Sequence, residues 1–134
     1  MRFVLCGAFV AILGCAAVLS VSADDAKTKN PNVGKQRHVV IFKFKDGTTP
    51  EQIKTIEDAF RALPAKIPEI VGFEWGTNNS PENLAQGFTH CFFLTFNDDA
   101  GRAAYLPHPA HKEFGKVLHP YLDKVLVVDY VVKD

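Results

Sequence analysis

Phe88-Thr89-His90-Cys91-Phe92-Phe93-Leu94-Thr95-Phe96 is rich in aromatic and β-branched residues and lacks glycine and proline, which predicts a β-strand. Alternation places Phe88, His90, Phe92, Leu94 and Phe96 on one face and Thr89, Cys91, Phe93 and Thr95 on the other. Neither face suits water, so the strand belongs to a sheet covered on both sides. His38-Val39-Val40-Ile41-Phe42-Lys43-Phe44 reads the same way, with His38, Val40, Phe42 and Phe44 on one face and Val39 and Ile41 on the other. A third run, Val125 to Val132, is apolar on both faces except at Asp129, and Val71, Phe73 and Trp75 alternate as a shorter strand.

Helices fall between these strands. Asp46-Gly47 is a turn, and Thr49-Pro50-Glu51-Gln52 combines an N-cap, a first-turn proline and a capping-box glutamine. Ile53, Ile56, Phe60 and Leu63 then recur at helical spacing, with Lys54, Glu57, Asp58 and Arg61 off the stripe and Pro64 ending it. Asn78 to Gly87 is a polar loop. Asn97 or Asp98 caps a short helix to Tyr105, Pro107-His108-Pro109 interrupts it, and Ala110 to Leu118 resumes until His119-Pro120. The order β-α-β-β-α-β predicts an α+β, ferredoxin-like fold: a four-stranded antiparallel sheet with helices on one face. Val39, Ile41, Cys91, Phe93, Leu126 and Val128 make the other face apolar, so a homodimer closed face to face into an α/β barrel is expected.

The amino terminus is expected to be an export signal over residues 1–23. Arg2 precedes an apolar run from Phe3 to Leu19, and Val21-Ser22-Ala23 has small residues where a signal peptidase cuts. An exported, periplasmic or secreted, protein follows. A lipoprotein is the alternative, because Ile12-Leu13-Gly14-Cys15 resembles a lipobox. Cleavage after Ala23 removes Cys6 and Cys15 and leaves Cys91 alone, so no internal disulfide can form. Residues 24–36 are polar and read as a flexible linker, and 37–134 as one folded domain. With 15 basic and 15 acidic residues the chain has no electrostatic footprint for nucleic acid or a membrane surface, and neither is expected as a partner.

The chemistry-bearing cluster is Tyr105-Leu106-Pro107-His108-Pro109-Ala110-His111. Together with His38 opening one strand, Gly87-Phe88-Thr89-His90 opening another and Val128-Asp129-Tyr130 in the last, it resembles the stress-responsive dimeric α/β-barrel (Dabb) family from Arg37 to the carboxyl terminus. Within that family it looks like the plant polyketide cyclase that makes olivetolic acid, which shares the Tyr-x-x-His-Pro-x-His spacing. The resemblance implies catalytic roles for Tyr105 and His111. By chemical type, neutral His111 could accept a proton from a carbon beside a carbonyl while Tyr105 donates a hydrogen bond to the developing oxyanion. Asp129 could orient an imidazole.

Two functional readings follow. The first is a module binding a small, largely apolar or aromatic ligand between sheet and helices, walled by His38, Val40, Phe42, His90, Phe92, His108, Phe114 and Asp129. The alternative is a cofactor-free cyclase or isomerase acting through Tyr105 and His111. Each polar residue also has a structural reading: His108 as a helix cap, His38 and His90 as members of buried hydrogen-bond networks. No cofactor is expected, and His108, His111 and Asp129 lack the second spaced pair of a metal site. Glycine-rich phosphate loops, Gly-x-Ser-x-Gly and Cys-x-x-Cys are absent from the sequence.

Overall fold

The computed structural model describes residues 29–134; the expected signal, its cleavage point at Ala23 and the alternative at Cys15 lie outside the described residues. The elements are β1 (Gln36–Phe44), α1 (Pro50–Arg61), α2 (Leu63–Lys66), β2 (Gly72–Thr77), β3 (His90–Phe96), α3 (Asp99–Tyr105), α4 (Pro109–Leu118) and β4 (Leu122–Val131). They build one sheet in the order β2-β3-β1-β4, antiparallel throughout. The ferredoxin-like expectation is met.

The α1 start follows its sequence signal: Gln52 N–H donates to Thr49 Oγ1 at 3.3 Å and Thr49 N–H to Gln52 Oε1 at 2.9 Å. The expected continuation to Leu63 differs. A proline is tolerated only in a helix's first turn, so α1 stops at Arg61 and Pro64 opens the separate turn α2. Leu63 keeps its place in the core. The core is aromatic: the Phe60 ring stacks on Phe92 at 4.1 Å, and Phe42 lies within 6.1 Å of Phe60 and 6.4 Å of Phe114. Burying each such side chain contributes roughly 1.5–3 kcal/mol, which fixes α1 and α4 on the helix-bearing face.

Other boundaries move. The linker expected through Gln36 ends earlier, because Asn30–Lys35 turns and pairs with the end of β4, Gly34 N–H donating to Val132 O and Val132 N–H to Lys35 O. β3 begins at His90 rather than Phe88, since Phe88 N–H is used inside the loop by Ala85 O. β4 begins at Leu122, paired with Phe44.

The helices cover β1 to β3 only. Edge strand β4 is therefore exposed on both faces: Val125 and Val127 on the helix side as well as Leu126, Val128 and Tyr130 on the other. On that open face Val39, Ile41, Cys91 and Phe93 are half-buried, and the Arg37 guanidinium lies 5.0 Å over the Phe93 ring. Soluble monomers rarely leave so continuous an apolar surface in water. Phe93→Asp tests whether a second copy covers it, because it removes an aromatic contact and places beside Arg37 and opposite Glu74 a carboxylate whose desolvation in an apolar seam costs roughly several kcal/mol even when paired. The variant is expected to sediment as a monomer; a normal dimer would place the interface elsewhere.

Candidate functional site

The break between α3 and α4 builds the site. Asp98 caps α3 by accepting from Gly101 N–H at 2.9 Å. Leu106 N–H still bonds Arg102 O, and His108 N–H bonds Tyr105 O at 3.0 Å, closing the turn. His108 then caps α4: its Nδ1 accepts from Ala110 N–H at 3.1 Å, with Pro109 in the first turn. That ring is half-buried and serves the backbone, so of its two sequence readings the structure displays the cap.

This turn folds α4 back beside α3 and brings the Tyr105 and His111 rings to 4.3 Å. His111 Nδ1 lies 3.0 Å from Leu106 O. A carbonyl only accepts, so Nδ1 carries the proton, and in the neutral ring Nε2 keeps its lone pair. Tyr105 is almost wholly buried, against Phe96 at 5.3 Å and His38 at 5.6 Å. Its hydroxyl has no hydrogen-bond partner among the described residues, and burial pushes its pKa well above the usual phenol range. It is a neutral donor without an acceptor among the described residues.

His38 joins this corner. The β1–β4 register sets it opposite Asp129, and Nδ1 lies 2.6 Å from Asp129 Oδ1. Asp129 Oδ2 accepts from Arg102 Nη1 at 2.9 Å, and Arg102 also bonds Asp99. The imidazole that Asp129 orients is thus His38 and not His111. Arg102 carried no sequence signal beyond standing three residues before Tyr105.

His90 lies elsewhere. It pairs with Phe42 while His38 pairs with Leu94, a separation of four residues or roughly 13 Å along the strand. Its Nε2 is 3.0 Å from Glu57 Oε1, its Nδ1 2.8 Å from Thr89 Oγ1, and Trp75 and Phe44 flank the ring. Both nitrogens are occupied. Glu57, expected on the solvent side of α1, instead reaches inward to this histidine.

Val40, Phe42, Phe92 and Phe114, expected to wall an apolar pocket, pack on one another as core. Two cavities lie on the open sheet face. One of about 480 Å³ lies between that face and the β2–β3 loop, bordered by Ile41, Leu84, Phe88, Cys91 and Leu126; the other, about 400 Å³, lies beside Arg37 and Phe93. Burial and the nearby Glu74 charge push the Cys91 thiol up, so it lines the first cavity as an apolar group rather than a thiolate. Among the described residues no cluster of three His, Cys, Asp or Glu forms a metal site, and no helix is long and apolar enough to cross a membrane.

The profile of the stress responsive A/B barrel domain matches residues 37–132. A stress-response A/B barrel domain-containing protein of Arabidopsis thaliana, HS1, is 43% identical over 97 residues, which is 72% of this chain and 89% of that protein. Olivetolic acid cyclase of Cannabis sativa is 32% identical over 94 residues, 70% of this chain and 93% of the cyclase. The structure of a hydroxynitrile lyase from Passiflora edulis superposes with a TM-score of 0.70 at 30% identity, covering 75% of this chain and 94% of the lyase. A dimeric ferredoxin-like protein of unknown function from Bacteroides fragilis superposes at 0.62 with 29% identity, covering 74% and 97%.

Tyr105→Phe separates a functional from a structural hydroxyl. No protein hydrogen bond is lost, so stability is expected to change by less than about 1 kcal/mol in urea unfolding. A loss of about 2 kcal/mol or more would show that the hydroxyl supports the fold.

Proposed function

Because the chain belongs to the stress-responsive A/B barrel domain family, we propose that it is a homodimer whose Tyr105–His111 corner binds a small oxygenated organic molecule and moves a proton on it without a cofactor. One observation carries the reading: across the α3–α4 turn the Tyr105 ring, whose hydroxyl has no hydrogen-bond partner among the described residues, lies 4.3 Å from the ring of His111, whose Nδ1 is engaged by Leu106 O. His111 Nε2 takes a proton from a carbon beside a carbonyl, Tyr105 donates a hydrogen bond to the oxygen on which charge develops, and the imidazolium returns the proton at the end of the cycle.

The named activities of olivetolic acid cyclase and hydroxynitrile lyase lend support, since the similarity spans 70% and 75% of this chain, and the dimeric neighbour supports the homodimer. The closed packing of Val40, Phe42, Phe92 and Phe114 favours a compact substrate over a bulky apolar one. A binding role is the second reading. It draws on the apolar lining of the 480 Å³ cavity on the open face, a different place from the sheet–helix pocket expected from the sequence. Export belongs to the proposal: Arg2, the apolar run and Val21-Ser22-Ala23 make Asp24 the expected first residue of the exported chain on N-terminal sequencing.

Carbon–deuterium exchange in D2O tests the reaction without knowledge of the natural substrate. Small ketones and β-diketones are expected to exchange their acidic hydrogens faster with the protein than in buffer. His111→Ala should lower the protein-dependent rate about 100-fold or more, within the range for a positioned base, and Tyr105→Phe should lower it as well. Exchange at the buffer rate across the panel, with a ligand retained in native mass spectrometry and unaffected by either substitution, would overturn the catalytic reading in favour of binding.

A further inference from the structure

Arg102 sits on α3 one turn before Tyr105 and reaches across to β4. Its guanidinium spans two carboxylates, Asp99 on its own helix and Asp129 on the strand. Asp129 in turn holds the buried His38 through its other oxygen. Both Asp129 oxygens therefore have donors, one on each side, which leaves the carboxylate a single orientation. An acceptor fixed opposite Nδ1 keeps the proton on that nitrogen, and the ring nitrogen farther from Asp129, Nε2, is left with its lone pair. The same ring meets Tyr105 edge to face at 5.6 Å.

We propose that Arg102 is a positioning residue which, acting through Asp129, sets His38 as a second imidazole with a free Nε2 at the Tyr105 corner. The inference rests on the reading of that corner as a proton-transfer site, but the geometry it asserts is separate from turnover. Tyr105 then lies between two imidazoles fixed by unrelated means: His111 by the Leu106 carbonyl within the α3–α4 turn, His38 by a side-chain chain crossing from helix to strand. Without Arg102, Asp129 has one donor instead of two and is accessible enough to rotate toward water; its side chain is 30% exposed. His38 is only 7% exposed at its side chain and finds no solvent replacement for that acceptor. Paired metal-binding histidines are commonly oriented through a carboxylate in this manner; here the oriented group is a base.

Imidazole ¹⁵N NMR on the full mature dimer reads the tautomer directly, with His38 signals assigned by His38→Gln. Wild-type protein is expected to show His38 with Nδ1 protonated and Nε2 bare. In Arg102→Met, which keeps the apolar stem and removes the fork, His38 should shift to a mixture of tautomers, which lowers the population with a free Nε2, or to a doubly protonated ring, which removes it. Arg102→Lys should restore the wild-type pattern in part, and Asp129→Ala should reproduce the loss. The His111 signals should stay unchanged in all three variants, which excludes general unfolding of the corner. A His38 pattern in Arg102→Met identical to wild type would overturn the proposal. Loss of deuterium exchange in Arg102→Met with the His38 tautomer intact would also overturn it, by showing that Arg102 acts otherwise. A tautomer change in protein that catalyses no exchange would uphold the positioning role while contradicting the proposed reaction.

Discussion

The contact on which the rest depends is the stack of Phe60 on Phe92, 4.1 Å apart and nearly parallel, with Phe42 and Phe114 closing around it. These rings join α1, α4, β1 and β3, and no charged group interrupts them. Because the stack holds α4 against the sheet, the first turn of α4 has nowhere to go but beside the end of α3. His111 therefore meets Tyr105 as a consequence of core packing. An error in the core would move the site. The Tyr105 ring is itself part of the core, whereas its hydroxyl has no hydrogen-bond partner among the described residues.

Three histidines near the sheet show how environment assigns roles. His108 and His111 stand three residues apart, yet His108 Nδ1 accepts from a backbone N–H while His111 Nδ1 donates to a backbone carbonyl. The neutral rings are opposite tautomers, and only His111 offers its Nε2 lone pair. His90, buried as deeply as His38, has both nitrogens engaged by Glu57 and Thr89. A free lone pair, rather than the presence of a histidine, marks the candidate base.

Much of this was legible from residues alone. Alternation in His38 to Phe44 and Phe88 to Phe96 assigned the two faces of the sheet correctly, and the Thr49–Gln52 box located α1. The family resemblance pointed to Tyr105 and His111 through the Tyr-x-x-His-Pro-x-His spacing, and the structure brings the two rings together. Arg102, Glu57 and the Leu106 carbonyl were not legible. Each acts through a contact made by register or by a turn: Asp129 with His38 across β1 and β4, Glu57 with His90 from helix to strand. Sequence spacing along one element carries no information about such crossings. The apolar wall inferred for a ligand likewise could not be told from core, since Phe42, Phe92 and Phe114 have the same composition in either role. β4 lies beyond the helices that cover β1 to β3, which leaves its Val125 and Val127 exposed.

The central claim is that the Tyr105–His111 corner, and not the cavity on the open face, receives the substrate. A crystal structure with acetylacetone, a small β-diketone, tests it most directly. The account predicts one ligand oxygen about 3 Å from the Tyr105 hydroxyl and the central carbon facing His111 Nε2 at a distance of roughly 3–3.5 Å, as proton transfer requires. Acetylacetone bound between Leu84, Phe88 and Leu126, with the corner empty and its rings still packed together, would contradict it.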